Sequence, residues 1–347
     1  MNQFIGRQLE LTTLKRIKNK KKASLVCIMG RRRIGKSALV QEFGKTFSSM
    51  IEVQGLAPEH NNSLSDQLSH FAQSISDHFN IKRPYFEDWE EAFLHLAKLT
   101  RQGQHLIFLD EISWMAQGDP LFSAKFKSAW DIHFKKNPLL VIVLCGSVSS
   151  WIEENLLKNA SFEGRISLEI NLQELSLIEI NQFWKAQNSH MGSLEKMMIL
   201  SVTGGVPKYL EEVLQTESAS QNLAHLCFSP GGILFNDYQK IFQDIFQRKT
   251  RTLEKIIRTC LVQKFSPAQL AQKMGVDQDS DLSKNIRTLE LSGFLSRDYY
   301  FKPDSGEVAK LSHLRVKDNY LRFYLKVIEP LKAKIEKGGK IVTVQPV

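Results

Sequence analysis

Cysteine is scarce and dispersed in this chain of 347 residues: Cys27, Cys145, Cys227 and Cys260 stand far apart, with no C-x-x-C pair. Such spacing argues against a disulfide framework and against a zinc ligand set. Two of the four fall in predicted buried strands, where a thiol acts as a small apolar filler in a reducing compartment. Long apolar runs are also missing. The longest, Leu139 to Cys145, falls far short of the roughly 20 residues that a membrane-spanning helix needs. The opening Met1-Asn2-Gln3-Phe4 lacks the basic-then-apolar layout of a secretory signal. Neither an internal repeat nor a low-complexity domain is present. These absences lead us to expect a cytoplasmic protein with no membrane partner.

What is present is ordinary for a globular chain: 42% apolar and 24% charged residues, enough length for two or three domains, and a net charge of +9. That charge permits a nucleic-acid partner without requiring one. Positive residues crowd in two places. Lys15 to Lys22 holds six in eight positions, and Leu314 to Val347 holds eight Lys or Arg against three Asp or Glu. Solvated surface is the reading for both.

The most informative stretch is Gly30-Arg31-Arg32-Arg33-Ile34-Gly35-Lys36-Ser37, which fits the pattern G-x-x-x-x-G-K-[ST]. Ser24 to Met29 before it reads as a buried strand. Ser37-Ala38-Leu39-Val40 after it opens a helix. Strand, glycine loop and helix N-terminus together aim backbone N–H groups and a positive dipole end at a polyphosphate. Lys36 is expected at the β- and γ-phosphates of ATP, and the Ser37 hydroxyl on Mg²⁺. Gly30, Arg31, Arg32, Arg33, Ile34, Gly35, Lys36, Ser37 and Ala38 are therefore the expected nucleotide-binding residues; because such a loop works through its backbone, simple solvation is the plainer reading of the Arg31, Arg32 and Arg33 side chains.

A second apolar strand, Gln104 to Leu109, ends in Asp110-Glu111. Asp110 is expected in the Mg²⁺ shell and Glu111 as the base that deprotonates the attacking water. The pair implies a further strand between it and the loop strand, and Leu139 to Ser147 fits that place. Two readings stand for Ser147: a polar contact to the attacking water or γ-phosphate, and a cap for a helix over Val148 to Leu156. Arg165, in Gly164-Arg165-Ile166 before an edge strand, can neutralise γ-phosphate charge or can form a surface salt bridge.

From Leu172 to about Phe228 the chain reads as helical. Within it, Gly204-Gly205-Val206-Pro207 breaks one helix and opens the next, either as a simple break or as a lid touching the nucleotide. After Arg251 come a helix, a capped helix from Pro267 to Met274, a third helix, and a hairpin turning at Lys302-Pro303-Asp304-Ser305-Gly306. That order is a winged helix-turn-helix. In its second short helix Leu282, Ile286 and Leu289 point inward. Ser283, Lys284 and Arg287 point outward and are the candidate contacts to double-stranded DNA, with protein docking as the other use of such a face. Val316 to Leu325 reads as an aromatic amphipathic helix packed against the winged helix.

Taken together, Phe4-Ile5-Gly6-Arg7, the glycine loop, Leu109-Asp110-Glu111-Ile112-Ser113-Trp114, Cys145-Gly146-Ser147-Val148-Ser149-Ser150-Trp151, Gly164-Arg165-Ile166 and Gly204-Gly205-Val206-Pro207-Lys208-Tyr209-Leu210 resemble the archaeal-type AAA-related ATPases grouped with the STAND signal-transduction NTPases. The resemblance implies a P-loop core that binds ATP and ADP, a helical lid whose Pro207 segment senses the nucleotide, and a winged helix behind it. Members of that group commonly continue into a nuclease-like domain. This chain stops soon after Leu325-Lys326 and lacks an Asp followed by Glu-x-Lys, so nuclease chemistry is not expected and the chain reads as a shortened member.

The expected fold is α/β, with a P-loop NTPase sheet core over 1–171, a helical lid over 172–245, a winged helix-turn-helix over 246–315, and a C-terminal helix and tail over 316–347. The expected function is a Mg²⁺-dependent ATPase switch, slow without a partner, that couples nucleotide state to the winged helix. The rival is a nucleotide-liganded DNA-binding or protein-docking module with negligible hydrolysis, its partner being another protein or a second copy of itself.

Overall fold

A computed structural model describes residues 4–57, 63–147, 150–246, 250–301 and 304–338. Helix α1 (Gln8–Asn19) precedes β1 (Ser24–Gly30), and α2 (Lys36–Gly44) follows the glycine loop. Strand β2 (Ser49–Gln54) leads to α3 (Leu64–Phe79) and α4 (Trp89–Leu99). Next come β3 (His105–Asp110), the short α5 (Ile112–Met115) and α6 (Phe122–Ile132). Strand β4 (Val141–Ser147) is followed by the single turn α7 (Ser150–Ile152) and by β5 (Ile166–Leu172).

The five strands form one parallel sheet in the order β2-β3-β4-β1-β5. Strand β4 therefore lies between β1 and β3, as the run from Leu139 to Ser147 suggests. Both central strands are buried along their whole length, which is why their sequences show no polar alternation. The two-residue period still sorts their side chains. Leu25, Cys27 and Met29 of β1 join Ile142 and Leu144 of β4 in a core with Phe71, Phe93 and Phe126 of α3, α4 and α6. Val26 and Ile28 face the other way, onto Leu14 of α1 and Leu39 and Phe43 of α2. Helices thus cover both faces, and the carboxyl ends of the strands are left for a ligand.

Helix starts follow the capping chemistry. Ser63 and Asp66 close a reciprocal capping box on α3, and Asp88 accepts from Glu91 N–H to start α4.

The remainder of the chain is mostly helical: α8 (Leu177–Ala186), α9 (Ser193–Thr203), α10 (Pro207–Glu211), α11 (Ala219–Phe228) and α12 (Ile233–Phe246). Then come α13 (Thr250–Val262), α14 (Pro267–Met274), α15 (Ser280–Leu291), the antiparallel hairpin of β6 (Leu295–Phe301) and β7 (Val308–Val316), α16 (Asn319–Phe323) and α17 (Glu329–Glu336). Ser266 caps α14 with Gln269, and Gly275, at φ 68°, ends it. Apolar residues from Leu175 to Ile335 share a single core, so α8 to α17 pack as one body.

One expectation needs correction. Val316 to Leu325 does not form one helix on the α13–α15 unit. Val316 belongs to β7, and α16 begins only at Asn319, because Asp318 accepts from Leu321 N–H and caps it there. Its rings pack on the earlier helices instead. Tyr320 meets Tyr209 with centroids 5.4 Å apart and donates to Leu234 O, while Tyr324 stacks on Tyr238 at 4.4 Å. Lys302 and Pro303 of the expected hairpin turn lie outside the described residues. So do Val148 at the expected helix start, the N-terminal Met1 to Gln3, and the tail from 339 onward.

Candidate active site

The glycine loop joins the buried end of β1 to the N-terminus of α2 at the carboxyl edge of the sheet. Gly35 sits at φ 89°, a left-handed conformation natural to glycine, and frees the first amides of α2 to point outward. Ile34 is buried and pins the loop to the core. The Lys36 ammonium donates to the carbonyl oxygens of Gly30 and Arg31, both at 3.1 Å, and so lies across the loop. The Ser37 hydroxyl donates to Asp110 Oδ2 at 2.6 Å, tying the N-terminus of α2 to the end of β3.

Glu111 follows Asp110 at φ 49°, which turns its side chain back over the strand ends. Its Oε2 accepts from the Ser147 N–H at 3.4 Å. Burial pushes the Glu111 carboxyl above its ordinary value of 4.5. The nearby Lys36 charge opposes that shift in part, and the Asp110 carboxylate adds to it. A carboxyl so raised is a proton acceptor matched to a weakly acidic water.

The turn after β2 depends on one small residue. A Cβ on Gly55 would lie 2.7 Å from Glu111 O and 2.9 Å from Met115 N. Gly55→Ala is expected to destabilise the fold by about 1–3 kcal/mol through this overpacking. It also displaces Glu111. Urea unfolding alongside a turnover assay measures both effects.

These residues line a cavity of about 690 Å³. Its floor is Gly35, Lys36, Ser37 and Ala38, and Asp110, Glu111 and Ser147 form one wall. Ile5, Leu175, Phe183, Pro207 and Lys208 also line it. The Pro207 ring stands over the loop, 3.9 Å from where a Gly35 Cβ would be. For a metal, the Ser37 hydroxyl and Asp110 carboxylate are hard oxygen donors in contact, the chemistry that Mg²⁺ prefers when phosphate and water complete its shell. Among the described residues no cluster of three His, Cys, Asp or Glu could hold a metal by itself. A Mg²⁺ here would therefore need the phosphates.

The three loop arginines are not simply solvated. Arg31 turns away from the cavity and is buried, paired with Asp318 and, at 3.3 Å, with Glu174. Arg33 lines the cavity, but its guanidinium is ion-paired with Asp237 at 2.7 Å. Arg32 faces the cavity, and its charge lowers the Glu111 carboxyl slightly. A buried guanidinium needs a carboxylate, and α12 and α16 supply them.

Arg165 stands outside the cavity lining. Its Nε and Nη2 grip Asp131 at 2.9–3.1 Å, and this holds the Asp131 carboxyl down to about 2. Arg165→Ala is expected to leave the urea midpoint close to wild type in a denaturant titration, since the pair is partly exposed. Arg287 donates from Nε to Glu153 at 2.8 Å, and Asn171 reaches Leu291 O, so α15 rests on the sheet domain. Ser283 and Lys284 remain exposed on α15.

Arg7, named above only as part of the Phe4-Ile5-Gly6-Arg7 motif, has a structural role at the site. This side chain, 4% exposed, donates to Ile34 O at 3.1 Å and Gln173 O at 2.6 Å, while its N–H donates to Glu179 at 2.6 Å. It ties the N-terminal segment, the phosphate loop and α8 together. Gln54 was readable as the last residue of a parallel strand, the usual ligand side. Phe183 carried no sequence signal.

Comparison with known proteins agrees with this geometry. Residues 4–213 match the model of an ATPase domain predominantly from Archaea. An uncharacterised protein of Methanocaldococcus jannaschii is 24% identical over 338 residues, covering 96% of this chain and 71% of the relative. The Walker-type ATPase of Pyrococcus abyssi superposes with a TM-score of 0.63 at 14% identity, covering 93% of this chain and 96% of that one. The ORC2 protein of Aeropyrum pernix, in ADPNP and ADP complexes, gives 0.51 at 13% identity over 96% and 94%. At such identities the two structures speak for the fold alone. No described helix is long and apolar enough to cross a membrane. With more than half its length matched and the phosphate loop, Asp110 and Glu111 gathered at the strand ends, this chain belongs to the ATPase-domain family found predominantly in Archaea.

Proposed function

We propose that the protein is a cytoplasmic, Mg²⁺-dependent ATPase of the signal-transduction type, turning over slowly and acting as a conformational switch. The observation that carries the reading is the meeting of Lys36, Ser37, Asp110 and Glu111 in one cavity roofed by Pro207. Loop amides and Lys36 bind the β- and γ-phosphates of ATP. Mg²⁺ held by Ser37 and Asp110 would neutralise charge on the phosphate oxygens. Glu111 accepts the proton of the attacking water as the bond to the β–γ bridging oxygen breaks, and Ser147 helps orient that water. Ile5, Leu175, Phe183 and Pro207 offer the apolar wall suited to a purine base.

In this reading 172–245 is the lid and 246–315 a winged helix-turn-helix, moved together by nucleotide state because they share a core. The placement of α15 favours protein contact over DNA for its outward face. Arg287 is already bonded to Glu153 of the sheet domain, and Asp277, Asp279 and Asp281 crowd the end that would enter a major groove. Of the three candidate contacts, Ser283 and Lys284 are left to meet a phosphate.

The test is ATP turnover with and without duplex DNA, together with the salt dependence of DNA binding. We expect Mg²⁺-dependent hydrolysis that DNA does not stimulate, and a shallow salt slope. Absence of hydrolysis overturns the enzyme reading; tight binding with a steep slope reinstates DNA as the partner.

A further inference from the structure

Two phosphate-loop arginines, Arg31 outside the cavity lining and Arg33 within it, pair with carboxylates of the helical body. The Arg31 side chain is 8% exposed and its partner Asp318 is 1% exposed; Arg33 is 17% exposed and Asp237 is 0% exposed. Each carboxylate has one oxygen anchored within the helical body and the other on the loop. Asp318 Oδ1 accepts from Leu321 N–H at 2.6 Å as the cap of α16, while Oδ2 faces Arg31. Asp237 Oδ2 accepts from the Tyr209 hydroxyl at 2.6 Å, while Oδ1 takes Arg33 at 2.7 Å. The posts are therefore rigid with respect to α10, α12 and α16.

The loop they hold is strained at the point of contact. Arg33 lies at φ 68°, a left-handed conformation that a side-chain-bearing residue adopts only when its surroundings enforce it. Its guanidinium is enclosed by Asp237 and by the Tyr209 ring, 5.9 Å from the centroid. Glu174 adds a third tether, pairing with Arg31 at 3.3 Å and accepting from Gly205 N–H at 2.9 Å in the segment that leads to Pro207.

We propose that Asp318 and Asp237 are positioning residues for nucleotide binding. Through Arg31 and Arg33 they hold the loop backbone in its phosphate-cradling shape while the helical body is docked, so that affinity for a nucleoside triphosphate is set from outside the cavity. This rests on the ATP-binding reading above and deepens it by naming the groups that regulate the site. Undocking the helical body withdraws both carboxylates from Arg31 and Arg33 and lets residues 31–33 relax. Conversely, a bound triphosphate that fixes the loop strengthens docking by the same factor.

The decisive test uses Arg31 and Asp318, because Arg31 lies outside the cavity lining and its loss removes no direct phosphate contact. Asp318→Asn keeps the helix cap and removes the charge. Arg31→Met/Asp318→Asn removes both charges, so no buried ion is stranded if the single variant folds poorly. ATP and ADP affinities by titration, Michaelis parameters for Mg-ATP and urea midpoints are measured on the full chain.

We expect ATP affinity in the paired variant to fall by about ten-fold or more, the scale of one charged hydrogen bond. We also expect kcat at saturating ATP within about three-fold of wild type and a urea midpoint near wild type. Wild-type ATP affinity in a paired variant of restored stability would overturn the proposal and make the ion pairs structural only. Failure of the wild type itself to bind ATP would sink the ATPase reading as well, which separates the two outcomes.

Discussion

Glu111→Gln is expected to lower ATP turnover by about 10²- to 10⁴-fold, the range for loss of a general base, while ATP affinity stays within about three-fold. The two effects separate because Gln keeps the shape and the contact to Ser147 N–H but has little affinity for a proton. Single-turnover hydrolysis and equilibrium binding on the same preparation measure both. A variant that hydrolyses ATP at the wild-type rate would remove Glu111 from the mechanism.

The pH dependence has a definite sign. Burial raises the Glu111 carboxyl above 4.5, so the acidic limb of kcat lies above that value, and activity rises with pH as the base ionises. For stability the same shift works in the opposite direction. The folded state holds the proton more tightly than the unfolded chain, so this group contributes stability at pH below 4.5. That contribution is lost as pH climbs through the raised value. At neutral pH the buried carboxylate is a cost, and Glu111→Gln is expected to be at least as stable as wild type in urea. Catalytic loss without destabilisation marks a residue placed for chemistry.

Lys36→Ala is expected to weaken ATP affinity by about 10- to 100-fold, the scale for a hydrogen bond to a charged group. Turnover should fall as well, because in the proposed mechanism the ammonium also faces the transferring phosphoryl group. Lys36 is 7% exposed and, among the described residues, donates to the carbonyls of Gly30 and Arg31 and to no carboxylate. Its removal therefore deletes no ion pair, and the fold should be spared. Titration with ATP, ADP and AMP tests the assignment: the loss should be large for ATP and ADP and small for AMP, whose single phosphate lies farthest from this side chain. Equal losses for all three would place Lys36 elsewhere in the mechanism.

The parts of the site that were legible in the sequence share a cause. Gly35, Lys36 and Ser37 lie within a few residues of each other, and their spacing is dictated by how a backbone wraps a phosphate. Asp110 and Glu111 end a buried apolar run, and a parallel strand must deliver its last residues to the ligand side of the sheet. Both signals are local. The placement of Arg31, Arg33 and Arg165 is not. Nothing near Arg31 announces Asp318, which is almost three hundred residues away, and the partners of an arginine are chosen by docking. The same holds for Arg287, outward by helical period yet bonded to Glu153.

By itself the sequence determined the chemistry a single loop can carry. A glycine loop between a buried strand and a helix, and a carboxylate pair at a strand end, imply phosphate binding and water activation, because backbone geometry allows those residue orders few other uses. The tertiary structure alone decided how the rest of the chain meets that loop. It brought Pro207 over Gly35, tied the loop to Arg7, and set Asp237 and Asp318 against its arginines. The reason is physical: charges must be paired when buried, and which surfaces become buried is a property of packing between distant elements.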